Sequence, residues 1–316
     1  MAIKNFSFKT SKIASYDILL LEDSKHASSF SIIPKLGASL NSLVLNGQNI
    51  LWSANNQKQI NERSIQSYAG AQLFPYVNRI KDANYVFNNK SYHLAANEKS
   101  LNNALHGLIF NKGFEMVLLD EDNGIIKMRY IYGYDHAGYP YKAIIENSFK
   151  LSDNSLTIIS TIENKSKQTI PVGHGWHPYF DLDSKIDKAY LHIPASKYFL
   201  VDEQLIPTGE LKHFDKFAQL SQIAKTELDY CFPINTNSSL LAQLFYPKKD
   251  LTISLLAEGY PYLQVYTPSD RKTIAIEPQT SAPDAFNNGL GLIRLEPNQH
   301  INLKFQIIAS HISKPE

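Results

Sequence analysis

Through residues 141–150, Tyr141, Ala143, Ile145, Asn147 and Phe149 interleave with Lys142, Ile144, Glu146, Ser148 and Lys150. Beyond the Ser152-Asp153-Asn154 turn, Leu156, Ile158 and Ile162 take one face and Thr157, Ile159 and Thr161 the other. A period of two marks a strand with one buried face. The same alternation returns at Ile301, Leu303, Phe305 and Ile307. Shorter β-prone runs lie at 16–21, 30–33, 198–201, 240–245, 251–256, 263–266 and 273–277. Asn46-Gly47 and Asn88-Asn89 separate apolar runs and predict two-residue hairpins. A strand continues from Ile170-Pro171-Val172 into residues 173–180. Residues 53–72 are polar, rich in Asn and Gln, and predict a surface loop; 217–225 predicts a single short helix. Many strands, frequent turns and little helical periodicity describe an all-β chain. With no repeat, low-complexity tract or linker, the expected architecture is one large antiparallel β-sandwich spanning 1–316 as a single domain.

Composition narrows the partners more than the fold. Lysine and arginine number 31 against 30 acidic residues, a net charge of +1, and no block of like charge stands out. That argues against a nucleic-acid or acidic-membrane surface. Cys231 is the one cysteine, so an internal disulfide framework and a cysteine-based metal cluster are excluded. No apolar run is long enough to span a bilayer, and residues 1–7 do not read as a secretory leader, so a cytoplasmic location is expected.

The candidate chemistry gathers in a few places. The stretch Gly173-His174-Gly175-Trp176-His177-Pro178-Tyr179-Phe180 puts His177 and Tyr179 on one face of a strand, beside Gly173 and Gly175. Those glycines leave open space where a ligand could lie, while Trp176, Pro178 and Phe180 face a core. Glu277 ends the run Ile274-Ala275-Ile276-Glu277-Pro278, where Pro278 stops ladder pairing. A carboxylate at the end of a buried strand costs free energy unless it is paired or used. Arg79, after Pro75-Tyr76-Val77-Asn78, suits either a structural ion pair or hydroxyl and carboxylate oxygens. Asp229 reads as a turn residue or a ligand-binding group. His106, His174 and His177 are a conceivable metal set, but an offset of three on a strand points 174 and 177 to opposite faces. No metal is expected. Neither a Gly-x-Ser-x-Gly elbow nor a phosphate-cradling glycine loop is present.

Taken together, the segments resemble the aldose 1-epimerase family, the galactose mutarotases and their relatives. The resemblance rests on Asn78-Arg79-Ile80, Asn103-Ala104-Leu105-His106-Gly107, His177-Pro178-Tyr179-Phe180, Asp229-Tyr230-Cys231-Phe232, Leu263-Gln264-Val265-Tyr266-Thr267 and Ile276-Glu277-Pro278-Gln279. They occur in the family's order and span about residues 30 to 308. The resemblance implies a β-sandwich with a sugar cleft, no cofactor, and a monosaccharide as the partner of a monomer or homodimer. It implies Glu277 as general base and His177 as general acid. Arg79, His106, Asp229 and Gln264 would hold hydroxyls, with Asn78 and Tyr179 nearby. Anomer interconversion needs one base and one acid about the anomeric centre. A carboxylate of pKa about 4.3 is ready as base, and a histidine of about 6.5 must be kept charged, a task expected of Asp229. Tyr179, Phe74, Phe286 and Tyr266 are candidates to stack on the sugar. Leu108, Pro178 and His174 depart from the usual pattern and leave the sugar open. A phosphorylated hexose held by Arg271 or Lys272 and a non-catalytic sugar-binding protein are the alternatives.

Overall fold

A computed structural model describes residues 5–234 and 239–311; residues 1–4, including most of the segment read for a leader, lie outside the described residues. The expected hairpins form. Asn46 and Gly47 have φ of 51° and 72°, and Asn88 and Asn89 have 49° and 60°. Two successive positive φ values give the turn whose twist matches paired strands, which is why Asn and Gly serve there.

The alternating stretches become the Lys142–Ser152 and Ser155–Asn164 strands, antiparallel with Asn147 opposite Ser160. They sit within a nine-stranded sheet that also takes in the His300–His311, Leu251–Glu258 and Leu240–Tyr246 strands. A five-stranded sheet comes from the first 49 residues, and a six-stranded sheet is built around Thr273–Gln279. The inner face of the large sheet packs on both: Phe149 lies 5.9 Å from Phe30 and 5.8 Å from Trp176, ring centre to ring centre. One apolar cluster runs from Leu19 to Ala309 through all three sheets. The architecture is the antiparallel β-sandwich expected.

Local expectations fare less evenly. The strand thought to run from 170 to 180 is broken into Ile170–Val172, Gly175–Trp176 and Tyr179–Asp181. Each piece finds its own partner: the first pairs with Ile293–Leu295, the second with Gln72–Leu73 and Thr273–Gln279, the third with Thr273–Gln279 and, through a bridge at Phe180, with Leu51. Residues 217–225 form no helix. Phe217 and Ile223 are each buried, but the chain between them turns and pairs Ser221–Gln222 with the Tyr190–His192 strand, so the apolar spacing reflects two anchors. Residues 53–72 are more than a surface loop: Gln57–Gln59 is helical, Asn56 caps it, and Ile60–Ile65 continues as a π-helix with Ile60 buried. Pairing also does not stop at Pro278, because Leu263 lies opposite it and Gln279 pairs with both Tyr262 and Gly175. No helix among the described residues is long and apolar enough to cross a membrane.

Candidate active site

The Thr273–Gln279 strand is buried along its whole length and forms the floor of a cavity of about 300 Å³. On one side it pairs with Tyr262–Tyr266, which sets Gln264 opposite Glu277. On the other it pairs with Tyr179–Asp181, with Tyr179 opposite Ala275. The Asp229–Pro233 strand extends the floor, so Asp229 is a strand residue, not a turn residue, and Gln264 Nε2 donates to its carboxylate at 2.7 Å.

His177 is held from behind by main chain. Its N–H donates to the Ala71 carbonyl at 3.0 Å and its carbonyl accepts from Gly70 at 2.9 Å. Its ring stacks on Tyr179, with centres 5.0 Å apart and planes 19° from parallel. Trp176 and Phe180 turn into the core, as the alternation required. The neighbouring glycines do not leave a ligand space. A Cβ on Gly175 would sit 2.8 Å from the Pro278 carbonyl oxygen, and one on Gly173 would sit 3.1 Å from Ser281 Oγ. They allow main chain to approach main chain.

The opposite wall is a two-residue ladder in which Leu105 faces Arg79. Asn78 and His106 flank it with φ of 49° and 60°, and the His106 N–H donates to the Asn78 carbonyl at 2.8 Å. Those left-handed residues turn the chain at each end of the ladder, which is how Arg79 and His106 reach the same cavity. His106 meets His177 edge to face at 5.1 Å between ring centres.

All eight residues singled out from the sequence line this cavity: His177, Glu277, Asn78, Arg79, His106, Tyr179, Asp229 and Gln264. Of the stacking candidates, Tyr179 and Tyr266 line it as well, whereas Phe74 and Phe286 are buried in the core. Four lining residues were not foreseen: Gln66, Ser67, Tyr68 and Leu105. Tyr68 packs edge-on to His106 at 4.6 Å. The signal for it was an aromatic residue two before Gly70, whose φ of 74° brings it so close to Leu40 that a Cβ would overlap the Leu40 carbonyl.

The central pair is His177 and Glu277, with Nε2 and Oε1 3.4 Å apart. Burial pushes the Glu277 carboxyl well above its ordinary range, and Asp229 adds to this; the Gln279 amide, which donates at 3.0 Å, and Arg79 pull the other way. Burial pushes His177 down to about 3. The expectation that Asp229 keeps this imidazole charged is therefore corrected: desolvation dominates, and it favours the neutral form of each group. His106 is also held well below the ordinary range, by burial first and then by His177 and Arg79. Nδ1 of His106 and Nδ1 of His177 are buried without a hydrogen-bond partner among the described residues. Such atoms cost free energy until a ligand or water meets them.

The three histidines weighed as a metal set do not converge. His174 does not line the cavity, and its ring contacts Gln72 Nε2 at 2.7 Å and the Tyr260 hydroxyl at 3.0 Å. Arg271 and Lys272 do not line it either. Arg271 donates to Asp187 and to the Ala224 and Thr226 carbonyls, so the phosphate role considered for it has no free guanidinium.

Comparison with known proteins agrees with this geometry. Residues 19–307 match the aldose 1-epimerase family. An uncharacterised protein of Escherichia coli K12, YihR, is 28% identical over 76% of this chain and 79% of its own. Human galactose mutarotase is 33% identical over 46% of this chain and 43% of its own. Among solved structures, a galactose mutarotase-like protein from Clostridium acetobutylicum superposes with a TM-score of 0.87 at 21% identity, covering 98% of this chain and 100% of that one. Galactose 1-epimerase from Lactobacillus acidophilus gives 0.79 at 18% identity, covering 97% and 98%. The structures share the fold, the family match spans nearly the whole chain, and the chain belongs to the aldose 1-epimerase family, a family of isomerases.

Proposed function

We propose that this protein interconverts the α and β anomers of a free, neutral aldose, with the whole chain acting as one domain. The observation that carries the reading is the His177–Glu277 pair, 3.4 Å apart at the floor of a cavity whose rim is lined by Arg79, His106, Asp229 and Gln264. In the proposed reaction Glu277 takes the proton from the anomeric hydroxyl as the C1–O1 double bond forms. The bond from C1 to the ring oxygen breaks, its electron pair stays on that oxygen, and His177 supplies the proton there. The aldehyde turns about the C1–C2 bond and the steps reverse on its other face. No atom is gained or lost, and no cofactor is called for.

The protonation states fit this cycle. A neutral glutamic acid with a neutral imidazole carries the same number of protons as a carboxylate with an imidazolium. Moving one proton across the pair converts the resting form into the reactive one. The Gln279 donor and Arg79 both favour the carboxylate once the sugar's own hydroxyls supply further partners. Tyr179, stacked on His177, fixes the ring plane, and Tyr68 and Tyr266 offer faces or edges to the sugar. A cytoplasmic location is proposed for the protein.

Polarimetry on fresh α-glucose and α-galactose, backed by NMR exchange spectroscopy between anomers, tests the reading. Wild type is expected to speed equilibration, and Glu277→Gln to lower the rate by about 10²–10⁴. Equal rates for the two proteins would remove Glu277 from the chemistry. Calorimetric binding of a sugar without any anomer exchange would make the cleft a binding site only.

A further inference from the structure

Arg79 is the one lysine or arginine lining the cavity among the described residues, and its charge is already engaged. Its Nε donates to Glu98 Oε2 at 2.9 Å and its Nη2 to Glu98 Oε1 at 2.8 Å, a fork-to-fork pair. The remaining Nη1 donates to the Asn78 side-chain oxygen at 3.2 Å. The side chains of Arg79 and Glu98 are only 13% and 14% exposed, so this is not a loose surface contact.

Glu98 is itself built into place. Its N–H donates to the Asn103 carbonyl and its carbonyl accepts from the N–H groups of Leu101 and Asn103, closing a short turn. The Asn103 side-chain amide, fully buried, donates to Glu98 Oε2 at 3.1 Å and to the Gln204 carbonyl at 3.0 Å. Glu98 does not line the cavity itself; the carboxyl groups that do are those of Asp229 and Glu277. Arg63 lies behind the Tyr179 ring, 5.2 Å from its centre, and donates to Thr273 Oγ1 rather than into the cavity. The cleft therefore presents one compensated cation beside Asp229 and a His177–Glu277 pair that carries no net charge in either of its proton arrangements.

We infer that Glu98 sets the charge selectivity of the cleft: by occupying Arg79 it makes the guanidinium a donor to neutral hydroxyls, and the site turns away aldoses bearing a phosphate or carboxylate group. Glu98 acts through Arg79 and is a positioning residue. The inference rests on the anomer-exchange reading for its substrate class. Its physics is that a guanidinium already in a bidentate pair has little left for a second anion, and that desolvating an anion in a buried cleft with no uncompensated cation is costly.

The test compares wild type and Glu98→Gln on glucose, glucose 6-phosphate and glucuronate by NMR anomer exchange. The readout is the ratio of kcat/KM for the anionic sugars to that for glucose. Wild type is expected to favour glucose, and Glu98→Gln to raise the anionic-to-neutral ratio by roughly tenfold or more, the factor set by about 1.4 kcal/mol. Glu98→Asp keeps the charge and is expected to keep the rejection. A wild type that accepts the anions as readily as glucose overturns the inference, and so does an unchanged ratio in a folded Glu98→Gln protein. Should that variant not fold, inorganic phosphate on wild type decides: no competition with glucose at millimolar concentration supports the inference, and competitive inhibition overturns it. If wild type exchanges no aldose at all, the functional reading fails separately. Saturation-transfer binding of the same three sugars then reads the charge rule with the same two outcomes.

Discussion

His174 and His177 stand three residues apart, both buried, and burial pushes both imidazoles down to about 3. Their surroundings differ. Both ring nitrogens of His174 are used: Gln72 donates to Nε2, so the proton sits on Nδ1 and goes to the Tyr260 hydroxyl. Gln72 in turn exchanges two hydrogen bonds with Asn147, at 3.0 and 2.8 Å. This network lies between the large sheet and the six-stranded sheet. His177 has one nitrogen on Glu277 at a cavity and the other without a partner among the described residues. Depth of burial and direction of titration thus do not separate a structural histidine from one suited to chemistry. The completeness of its partners does.

The largest break in that comparison is expected from Ala at 174. His174→Ala leaves Gln72 and Tyr260 with unmet groups and a cavity, costing about 2–4 kcal/mol in urea unfolding. Glu277→Gln should instead lose anomer exchange with stability nearly kept. A fully folded His174→Ala protein as inactive as Glu277→Gln would erase the distinction.

The acid dependence of stability sharpens it. Below the unfolded value of about 6.5 the unfolded chain protonates at 174 and the folded one does not, so this contribution is complete above that pH and falls as pH drops. The loss is roughly 1.4 kcal/mol per pH unit. His177 has the same sign. Glu277, raised in the folded state, has the opposite one: its contribution is present at low pH and fades as pH rises above its unfolded value. Between about pH 5 and 6 the 177–277 pair therefore nearly cancels, and His174 adds its slope to that of His106, which is lowered likewise. Chemical unfolding over that range should lose about one proton's slope in His174→Gln, and keep it when His177 and Glu277 are both replaced by Gln. A slope unmoved by His174→Gln would refute the assignment. The smallest effect is expected from Tyr260→Phe, which removes one acceptor from the network and should cost about 1 kcal/mol by the same measurement, with exchange activity retained.

Much of the cleft could be read from the chain because its residues sit at strand ends, next to Gly, Pro and Asn that punctuate the ladders. Asn78-Arg79, His106-Gly107 and His177-Pro178 are of this kind; Pro278 marked Glu277 in the same way, although the ladder there runs on to Gln279. Glu98 could not be read so. It sits in a polar turn, and its value comes from a partner 19 residues earlier. Tyr68 was hidden in a polar stretch whose π-helix has no apolar period strong enough to announce it. Residues 217–225 misled for the opposite reason, since spacing that suits a helix face also arises when two turn residues are anchored separately.

The alternation of apolar and polar residues determined that the chain forms strands, which faces are buried and where it turns, because each of these depends on neighbours one to four positions away. Which strands meet was settled only in three dimensions. So were the filling of the Gly173 and Gly175 spaces by main chain, the capture of Arg79 by Glu98 and the opposed shifts of Glu277 upward and His177 downward. Those outcomes depend on distances and desolvation between segments far apart in the chain, and no local pattern carries them.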